Sequence, residues 1–262
     1  MLIPFIKMQA QGNDFVILDA FSSQLPELPF AELARRICLR HYSVGADGLV
    51  ILDRSEEADA QMIIYNSDGS RAEMCGSALR CVSKLVSEHL SKTSLKIKTD
   101  SGIKAASIKL LEGIIQVNLG SAKLLKQDLE VSPLCGDLLD IGNPHFVVWM
   151  EDLEANPQLQ YGAYLEHHSA FKAPVNAHFA RVISDREIEM KIWEHACGAT
   201  LACGTGAACT VYSGIRKGLL EDEVLVRVPG GEIGISYQRE TDDLLLSGSV
   251  SEAFTGVYEW KA

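Results

Sequence analysis

The first half of the chain combines two segments of helical periodicity with a series of short apolar runs. Apolar residues recur every three or four positions over residues 30–41 and 76–90, which predicts two helices. The short runs are bounded by glycine, asparagine, aspartate and proline, a pattern typical of strands separated by turns. The predicted strands of this half are residues 3–8, 16–18, 49–52, 61–65, 95–99, 103–110 and 114–119.

The second half repeats this arrangement. Helices are predicted over residues 157–168 and 204–217, and apolar runs again alternate with polar turns. The predicted strands of this half are residues 138–141, 146–150, 175–183, 188–193, 224–228, 233–237 and 244–246. We therefore predict an α+β protein of two pseudo-symmetric domains, each a strand-rich, barrel-like shell around a central helix.

The two central helices begin at loops that share one residue pattern. Cys75-Gly76-Ser77 stands at the first helix start, and Cys203-Gly204-Thr205 stands 128 positions later at the second. In both segments another cysteine follows six positions after the first. Glycine landmarks elsewhere repeat at offsets of 128 to 130, a period too long for a solenoid. This repetition predicts a domain duplication, with domains at residues 1–121 and 122–251.

Composition and charge restrict the class of protein. Of the 262 residues, 47% are hydrophobic and 23% are charged, values typical of a soluble globular protein with two domains of ordinary size. A net charge of −11 argues against nucleic-acid binding, which needs a basic surface. Neither a membrane-spanning apolar run nor a signal peptide is recognisable, so we expect no membrane partner and a cytoplasmic location.

The seven cysteines do not have the pattern of a secreted disulfide framework, and no pair has the spacing of a zinc site. We therefore expect no metal. Cys75 and Cys203 are the candidates for chemistry because each begins a glycine-rich helix entry. The other cysteines are expected to be packing residues: Cys38, Cys81, Cys135, Cys197 and Cys209. Five histidines are expected to be surface or hydrogen-bonded side chains: His41, His89, His167, His168 and His178.

A cysteine at a helix start is placed for acid–base chemistry. The unpaired N–H groups and partial positive charge of a helix N-terminus bind an anion such as a carboxylate, and the same field lowers the pKa of a thiol. Inverting an α-carbon without a cofactor requires a base that removes a proton from one face and an acid that returns one to the other. A thiolate and a thiol supply these roles, while the helix starts stabilise the charge that develops on the carboxylate.

Six motifs together resemble the signatures of the diaminopimelate epimerase family. They are, in chain order, Gly12-Asn13-Asp14-Phe15, Asn66-Ser67-Asp68-Gly69-Ser70, Cys75-Gly76, Gly142-Asn143-Pro144-His145, Val175-Asn176 and Leu201-Ala202-Cys203-Gly204-Thr205-Gly206. The resemblance covers nearly the whole chain. It implies a cofactor-independent isomerase that converts LL- to meso-diaminopimelate on the bacterial route to lysine. It also implies the two-domain fold of that family, with a C-terminal tail, residues 252–262, that returns to the first domain.

The resemblance further implies roles for particular residues. Cys75 and Cys203 would be the two acid–base thiols. The reacting carboxylate would be held by the backbone at Gly76, Ser77, Gly204 and Thr205. The side chains that would orient the substrate are Asn13, Asn66, Asn143 and Asn176. His145 and Glu194 would lie close to the thiols and assist their ionisation or bind the substrate ammonium group.

The chain departs from the family pattern at three places. Ser77-Ala78 stands where the family usually has asparagine and glycine after the first catalytic cysteine, and Ala199 replaces an acidic residue. His195 stands where the family has an arginine that grips the distal carboxylate of the substrate. A histidine does not provide the same permanently charged, two-pronged donor, so the reaction type is better supported than the substrate.

These departures leave three functions to weigh. The first is diaminopimelate epimerisation, with His195 or a nearby arginine such as Arg71 or Arg181 binding the distal carboxylate. The second is racemisation of another amino acid, for instance histidine, by the same two thiols. The third is a binding protein that kept the fold and lost turnover, which the presence of both thiols disfavours. We expect a small amino-acid ligand, and a homodimer is one candidate assembly.

Overall fold

The computed structural model describes residues 1–261, which form two compact units. The first unit comprises Met1–Val117 together with the residues from Gly248 onward, and the second comprises Asn118–Ser247. Each described unit combines two helices with a larger number of strands, so the predicted α+β class is confirmed. No helix within residues 1–261 is long and apolar enough to cross a membrane.

In the first unit, helix α1 spans Phe30–Ile37 and helix α2 spans Gly76–Leu90. The first eight strands are β1 Leu2–Ala10, β2 Asn13–Asp19, β3 Gly48–Asp53, β4 Ala60–Asn66, β5 Arg71–Ala72, β6 Ser94–Thr99, β7 Gly102–Lys109 and β8 Ile114–Gly120. β1 and β2 are antiparallel, β2 and β3 parallel, β3 and β4 antiparallel, and β4 and β6 parallel. β6, β7 and β8 then continue as antiparallel neighbours.

Apart from β5, which has no counterpart strand, the second unit repeats the order of elements and the strand directions of the first. Helix α3 spans Pro157–Glu166 and helix α4 spans Gly204–Arg216. The strands are β9 Lys123–Val131, β10 Leu134–Asp140, β11 Pro144–Trp149, β12 Asn176–Ser184, β13 Glu187–Trp193, β14 Glu223–Val228, β15 Gly231–Gln238 and β16 Asp243–Ser249. From β10 to β16 the pairing is antiparallel, parallel, antiparallel, parallel, antiparallel and antiparallel, as in the first unit.

The hydrophobic pattern does not predict two further strands. Each of them pairs with the first strand of one repeat. β17 spans Ser251–Glu259 and is antiparallel to β1, and β9 is antiparallel to β10. Most side chains of β9 and β17 are exposed, and neither strand has one continuously buried face. Their extended conformation therefore depends on backbone pairing with a neighbour rather than on hydrophobic alternation.

The helices α2 and α4 are buried on nearly all sides. α2 packs against β1, β2, β4, β6 and β7, and α4 packs against β10, β11, β12 and β15. Many of the buried side chains are small, such as Ala78 and Ser83 of α2 and Ala207 and Ala208 of α4. Small side chains let the surrounding strands approach the helix closely at native packing density. The predicted central helix within a strand-rich shell is confirmed in each unit.

The outer helices are shorter than the hydrophobic pattern predicts. α1 ends at Ile37, and the predicted extension to position 41 fails because His41 has a left-handed φ of 70°. α3 ends at Glu166, two positions before the predicted end. The buried face of α1, which includes Leu33 and Ile37, packs into a core cluster with the first strands of its unit. The end of α3 matters for the candidate site because Glu166 lies there.

Candidate active site

The N-terminal cysteine loop lies at the start of α2. Cys75 is the N-cap residue, with an extended backbone (φ −144°, ψ 123°), and no side-chain hydrogen bond caps the helix. Gly76 and Ser77 are buried in the first turn. The N–H groups of a first helical turn have no partner within the helix, and they point towards its start. This geometry is that of a helix start that can bind an anion.

Asn13 is the predicted substrate-binding residue that the structure brings to Cys75. Its Nδ2 lies 3.8 Å from Cys75 Sγ. Asn13 begins β2 directly after a turn in which Gln11 and Gly12 have left-handed φ values of 49° and 83°. Asn66, at the end of β4, instead donates from Nδ2 to Ser70 Oγ at 2.9 Å, so its side chain is held within its own turn.

A buried arginine that the sequence analysis does not single out lies on the same helix. Arg80 is 0% exposed, and its Nη1 donates to Gln11 Oε1 at 2.8 Å and to the Ser249 carbonyl at 3.4 Å. Its Nε and Nη2 have no hydrogen-bond partner within the described part of the chain. Burial lowers the pKa of Arg80 to about 10. Arg80 is the one charged residue in the otherwise uncharged first turns of α2, and that feature of the sequence could have identified it.

The C-terminal cysteine loop has the same backbone geometry. Cys203 is the N-cap residue of α4, again extended (φ −135°, ψ 106°), with no side-chain hydrogen bond capping the helix. Cys203 is 3% exposed, and its Sγ lies 3.7 Å from Thr205 Oγ1. Gly204 is the first residue of the helix and packs closely against Leu246. A Cβ added at Gly204 would lie 2.9 Å from that side chain.

The charge environment of Cys203 favours the thiol. Burial raises the pKa of Cys203 well above its ordinary value, and the Glu194 carboxylate adds to this by its charge and by accepting a hydrogen bond from the thiol. The Gly206 N–H and the Thr205 hydroxyl act in the opposite direction and are outweighed. The lowered pKa predicted for a thiol at a helix start is therefore wrong for Cys203, because burial and a neighbouring carboxylate dominate.

A tight turn after β13 holds Glu194 in place. The Glu194 N–H donates to the Gly198 carbonyl at 2.8 Å, and the Gly198 N–H donates back at 2.9 Å. The turn is closed by left-handed φ values at Ala196 (60°) and Gly198 (76°). Thr200 Oγ1 donates to Glu194 Oε1 at 2.6 Å, which fixes the orientation of the carboxylate.

His145 and His178 form a buried pair beside Cys203. His145 Nδ1 lies 2.8 Å from His178 Nε2, and His145 Nε2 lies 2.9 Å from Asn143 Oδ1. An amide oxygen only accepts, so His145 carries its proton on Nε2, and His178 Nε2 donates to His145 Nδ1. Burial lowers the pKa of His145 well below its ordinary value and that of His178 to about 3, so both rings are neutral at pH 7.

His178 is a site residue, contrary to the prediction of a surface or hydrogen-bonded side chain. It is neither a surface side chain nor fully hydrogen-bonded, because it is 0% exposed and its Nδ1 has no partner among residues 1–261. A Cβ added to Gly206 would lie 2.2 Å from the His178 ring, so this glycine of α4 makes room for the imidazole. His178 lies two positions after Asn176 on β12, and the alternation of a strand places both on one face. That spacing could have identified it.

His145, His178 and Cys203 also form the one group with a metal-like donor set in the described chain. One donor atom from each lies within 4.8 Å of the others, and two imidazoles with a thiolate would suit a zinc ion. Both ring nitrogens of His145, however, already have hydrogen-bond partners. A metal ion would have to displace that pair, so the arrangement fits acid–base chemistry better than metal binding.

Asn176 connects the strand that carries His178 to the turn after β13. Its Oδ1 accepts the His195 backbone N–H at 3.1 Å, and its Nδ2 donates to the Pro144 carbonyl at 3.0 Å. Asn176 therefore braces two backbone segments of the site. Like Asn143, which accepts from His145, it is already hydrogen-bonded without a ligand.

The His195 ring is held by a carboxylate at the end of α3. His195 Nδ1 donates to Glu166 Oε1 at 2.7 Å, and the same carboxylate accepts from the Ala196 N–H at 2.9 Å and from Trp193 Nε1 at 2.8 Å. Burial alone would raise the pKa of Glu166, but these hydrogen bonds outweigh it and lower that pKa to about 2. No local sequence pattern indicates this role of Glu166, because Glu166 lies 29 positions from His195 along the chain.

The two arginines considered as substitutes for a family arginine are both in ion pairs. Arg71 binds Asp100, with Nη2 at 2.8 Å from Oδ1, and Arg181 Nη2 lies 2.7 Å from Glu189 Oε2. Each guanidinium therefore already has an anionic partner. Of the three candidates, His195 is therefore the one that could bind a distal carboxylate. It occupies the position at which the family has an arginine.

The remaining cysteines divide into buried and exposed residues. Cys38, Cys81 and Cys209 are buried, as predicted for packing residues, and burial raises the pKa of both Cys38 and Cys81 to about 12. Cys135 and Cys197 are exposed, so the packing role predicted for them is wrong. Cys135 lies on β10 with its side chain outward, and Cys197 lies in the turn after β13.

Known proteins with similar sequences share one family. The diaminopimelate epimerase family matches residues 5–125 and 138–252 of this chain. The diaminopimelate epimerase of Halothermothrix orenii is 36% identical over 98% of both chains. That of Desulforudis audaxviator is 38% identical over 96% of this chain and 98% of its own.

Solved structures with a similar fold are more distant in sequence. A hydroxyproline epimerase from Agrobacterium vitis superposes with a TM-score of 0.75 at 14% identity, covering 98% of this chain and 92% of its own. A phenazine biosynthesis protein of the PhzF family from Bacillus anthracis superposes with a TM-score of 0.74 at 16% identity, covering 99% and 100%. At these identities the similarity shows a shared fold alone.

Proposed function

This chain belongs to the diaminopimelate epimerase family, and from that premise we infer that it interconverts LL- and meso-diaminopimelate. It is an isomerase of the epimerase class, and its reaction is a step of lysine biosynthesis. The observation that carries this conclusion is a family match that includes both cysteine loops. Each of those cysteines is the extended N-cap residue of a buried helix.

We propose that Cys75 and Cys203 act on opposite faces of the substrate α-carbon. The first-turn N–H groups of the helix starts would hold the α-carboxylate. A thiolate would take the α-proton, the electron pair would spread into the carboxylate, and the other thiol would then give its proton to the opposite face of the same carbon. The two sulfur atoms exchange protonation states in each turnover, so the reverse reaction uses the same groups. The scheme needs no pyridoxal phosphate.

Neighbouring side chains support this assignment. Glu194 accepts the Cys203 S–H, which orients the thiol and keeps it protonated as a proton donor. Asn13 contacts Cys75, and Asn143 positions His145 beside Cys203. We propose that these residues, with Asn66 and Asn176, orient the amino and carboxylate groups of the substrate. Because His145 is neutral, it would act by hydrogen bonding rather than by charge.

We propose that His195 meets the distal carboxylate of diaminopimelate. Glu166 fixes the ring through Nδ1, so Nε2 is the one ring nitrogen of His195 left to meet a ligand. A single donor binds a carboxylate less firmly than the two-pronged guanidinium that the family has at this position. The consequence would be a weaker distal contact rather than a different reaction.

Proton NMR of the reduced protein in D2O tests the proposal. With LL-diaminopimelate and no added cofactor, we expect loss of the α-proton signal and appearance of the meso isomer. L-Histidine and other amino acids, offered separately, are expected to keep their α-proton. Exchange with another amino acid and none with diaminopimelate would overturn the substrate assignment and support the alternative racemase.

A cytoplasmic location and a homodimeric assembly stay predictions of this proposal. Cell fractionation would test the first. Sedimentation of the purified protein would test the second, with a mass twice that of one chain as the expected result.

A further inference from the structure

Arg80 is a charged side chain that the two-thiol scheme does not use. It lies on α2 five positions after Cys75 and is 0% exposed. Two of its three nitrogens have no hydrogen-bond partner among the described residues, and its acceptors are an amide and a backbone carbonyl rather than a carboxylate. Burying a guanidinium without an anionic partner costs several kcal/mol, on the order of the penalty for any buried ion, so the charge needs a functional explanation.

The Arg80 guanidinium lies towards the N-terminal end of α2. Helical side chains slant towards the N-terminus of their helix. Arg80 Nη1 contacts Gln11, which precedes Asn13 by two positions, and Asn13 Nδ2 is in turn 3.8 Å from Cys75 Sγ. A Cβ added to Gly248 would lie 2.3 Å from Nη1, so the guanidinium is confined between Gly248 and the β1–β2 turn.

Two thiols lie within the electrostatic reach of Arg80. The groups whose ionised form would interact with the Arg80 charge are the thiols of Cys81 and Cys75. Cys81 is 0% exposed, and burial raises its pKa to about 12, so it stays protonated at neutral pH. Cys75 is only partly buried and is the N-cap residue, where the helix field also favours an anion. Cys75 is therefore the thiol that a charge on Arg80 can ionise.

Some of the other charged groups near α2 are in ion pairs. Lys7 pairs with Asp14, and Lys98 pairs with Glu57. The titratable groups on the strands around α2 and on the helix itself are Lys7, Asp14, Asp19, Tyr65, Lys96, Lys98, Lys104, Lys109, Lys84, Glu88 and His89. Among residues 1–261, none of these groups is a cause of the lowered pKa of Arg80.

We propose that Arg80 is a positioning residue whose buried positive charge keeps Cys75 as the thiolate in the resting protein. Cys203, beside Glu194, rests as the thiol. In the proposed function, on which this assignment of roles rests, Cys75 is then the resting base and Cys203 the resting acid. The free protein is prepared for the epimer whose α-proton faces Cys75. The charge state of Cys75 is measurable without substrate, so it is tested independently of the reaction.

The first test follows alkylation of each cysteine by iodoacetamide against pH, with tryptic peptides quantified by mass spectrometry. In the unaltered protein we expect Cys75 to react with a midpoint below the ordinary thiol value of about 8.5, and Cys203 to react slowly below pH 9. Arg80→Gln should raise the Cys75 midpoint by about one pH unit, which lowers its rate at pH 7 about tenfold. Arg80→Lys keeps a charge and should retain most of the reactivity.

Arg71→Gln is the matched control, because Arg71 lies in the same unit but is paired with Asp100. It should leave both midpoints unchanged. An unchanged Cys75 midpoint in folded Arg80→Gln, with folding checked by circular dichroism, would overturn the proposal. A purely structural role for Arg80 would change the melting temperature but not the alkylation profile of Cys75.

A second measurement avoids any change at Arg80. Thiolate absorbance near 240 nm at pH 7.5 should show about one thiolate per chain, at a pH where an ordinary thiol is mostly protonated. The signal should disappear in Cys75→Ser and persist in Cys203→Ser. The opposite pattern, or no thiolate in the unaltered protein, would overturn the proposal even if Arg80→Gln did not fold.

Discussion

The two cysteine loops have nearly the same backbone and opposite electrostatic surroundings. Cys75 and Cys203 are both extended N-cap residues of buried helices. Cys75 shares its helix with a buried guanidinium, whereas Cys203 donates a hydrogen bond to a carboxylate and lies beside two neutral imidazoles. A duplicated loop therefore supplies the same sulfur position twice, and the neighbouring charges decide which sulfur holds the proton.

The largest expected effect comes from removing either sulfur. Cys75→Ala and Cys203→Ala should each lower α-proton exchange of LL-diaminopimelate in D2O by roughly 10²–10⁴-fold or more, because each deletes one acid–base group. The exposed Cys135→Ala is the matched control and should retain full activity. Full activity in either catalytic variant would show that the two loops are not equivalent partners in one reaction.

Changing Glu194 should make the two loops more alike. Glu194→Gln removes the carboxylate that raises the pKa of Cys203, so alkylation of Cys203 should begin at lower pH. Turnover should fall about 10- to 100-fold, because the resting acid is partly lost. Glu189→Gln is the control, because Glu189 lies on β13, the strand that leads into the Glu194 turn, and is paired with Arg181. A Cys203 alkylation profile that does not move would contradict the assigned hydrogen bond.

The buried histidine pair gives the second unit an acid-sensitive element. The folded-state pKa of His178 is lowered to about 3, whereas an unfolded histidine has a pKa of about 6.5. The stability that depends on its neutral form is present above pH 6.5 and is lost as pH falls towards 3. The free energy of unfolding should therefore drop by about 2 kcal/mol between pH 7 and pH 5 for His178 alone.

Urea unfolding at the two pH values measures this loss. His178→Gln should reduce the difference between pH 7 and pH 5, even though it lowers stability at pH 7. His41→Gln, a change at an exposed histidine of the first unit, should leave the difference unchanged. An equal pH dependence in His178→Gln would show that the buried pair is not the acid-sensitive element.

The smallest expected effect concerns the contact between His195 and the distal carboxylate of the substrate. His195→Arg should lower KM for diaminopimelate about fivefold with little change in kcat, because a two-pronged donor replaces a single one. Glu166 remains available to hold the new guanidinium. His41→Arg adds the same charge elsewhere and should leave KM unchanged. A rise in KM would show that His195 is better suited to this substrate than arginine.

Much of this architecture follows from local sequence. The boundaries of α2 agree with its hydrophobic stripe, and glycine-rich entries place both cysteines at helix starts. The motifs around Asn13, Asn143 and Cys203 were sufficient to indicate the family. These features depend on periodicity, turn residues and short-range spacing, which a chain carries regardless of how it packs.

The features that the sequence did not reveal depend on contacts between distant segments. β9 and β17 are strands because β10 and β1 offer backbone hydrogen-bonding groups, and their own side chains are largely exposed. Glu166 reaches His195 across 29 positions, and His178 reaches His145 across 33. A pattern of neighbouring residues in the sequence does not predict contacts between residues so far apart.

The protonation states of the two thiols were also decided by tertiary structure. The sequence placed both cysteines in equivalent helix starts, and by itself it predicted a lowered pKa for both. Burial and Glu194 reverse that prediction at Cys203, while the buried charge of Arg80 acts at Cys75. The sequence determined which atoms react, because helix starts and loops are local. Packing determined where the proton rests, because desolvation and charge–charge energies depend on which distant groups surround each sulfur.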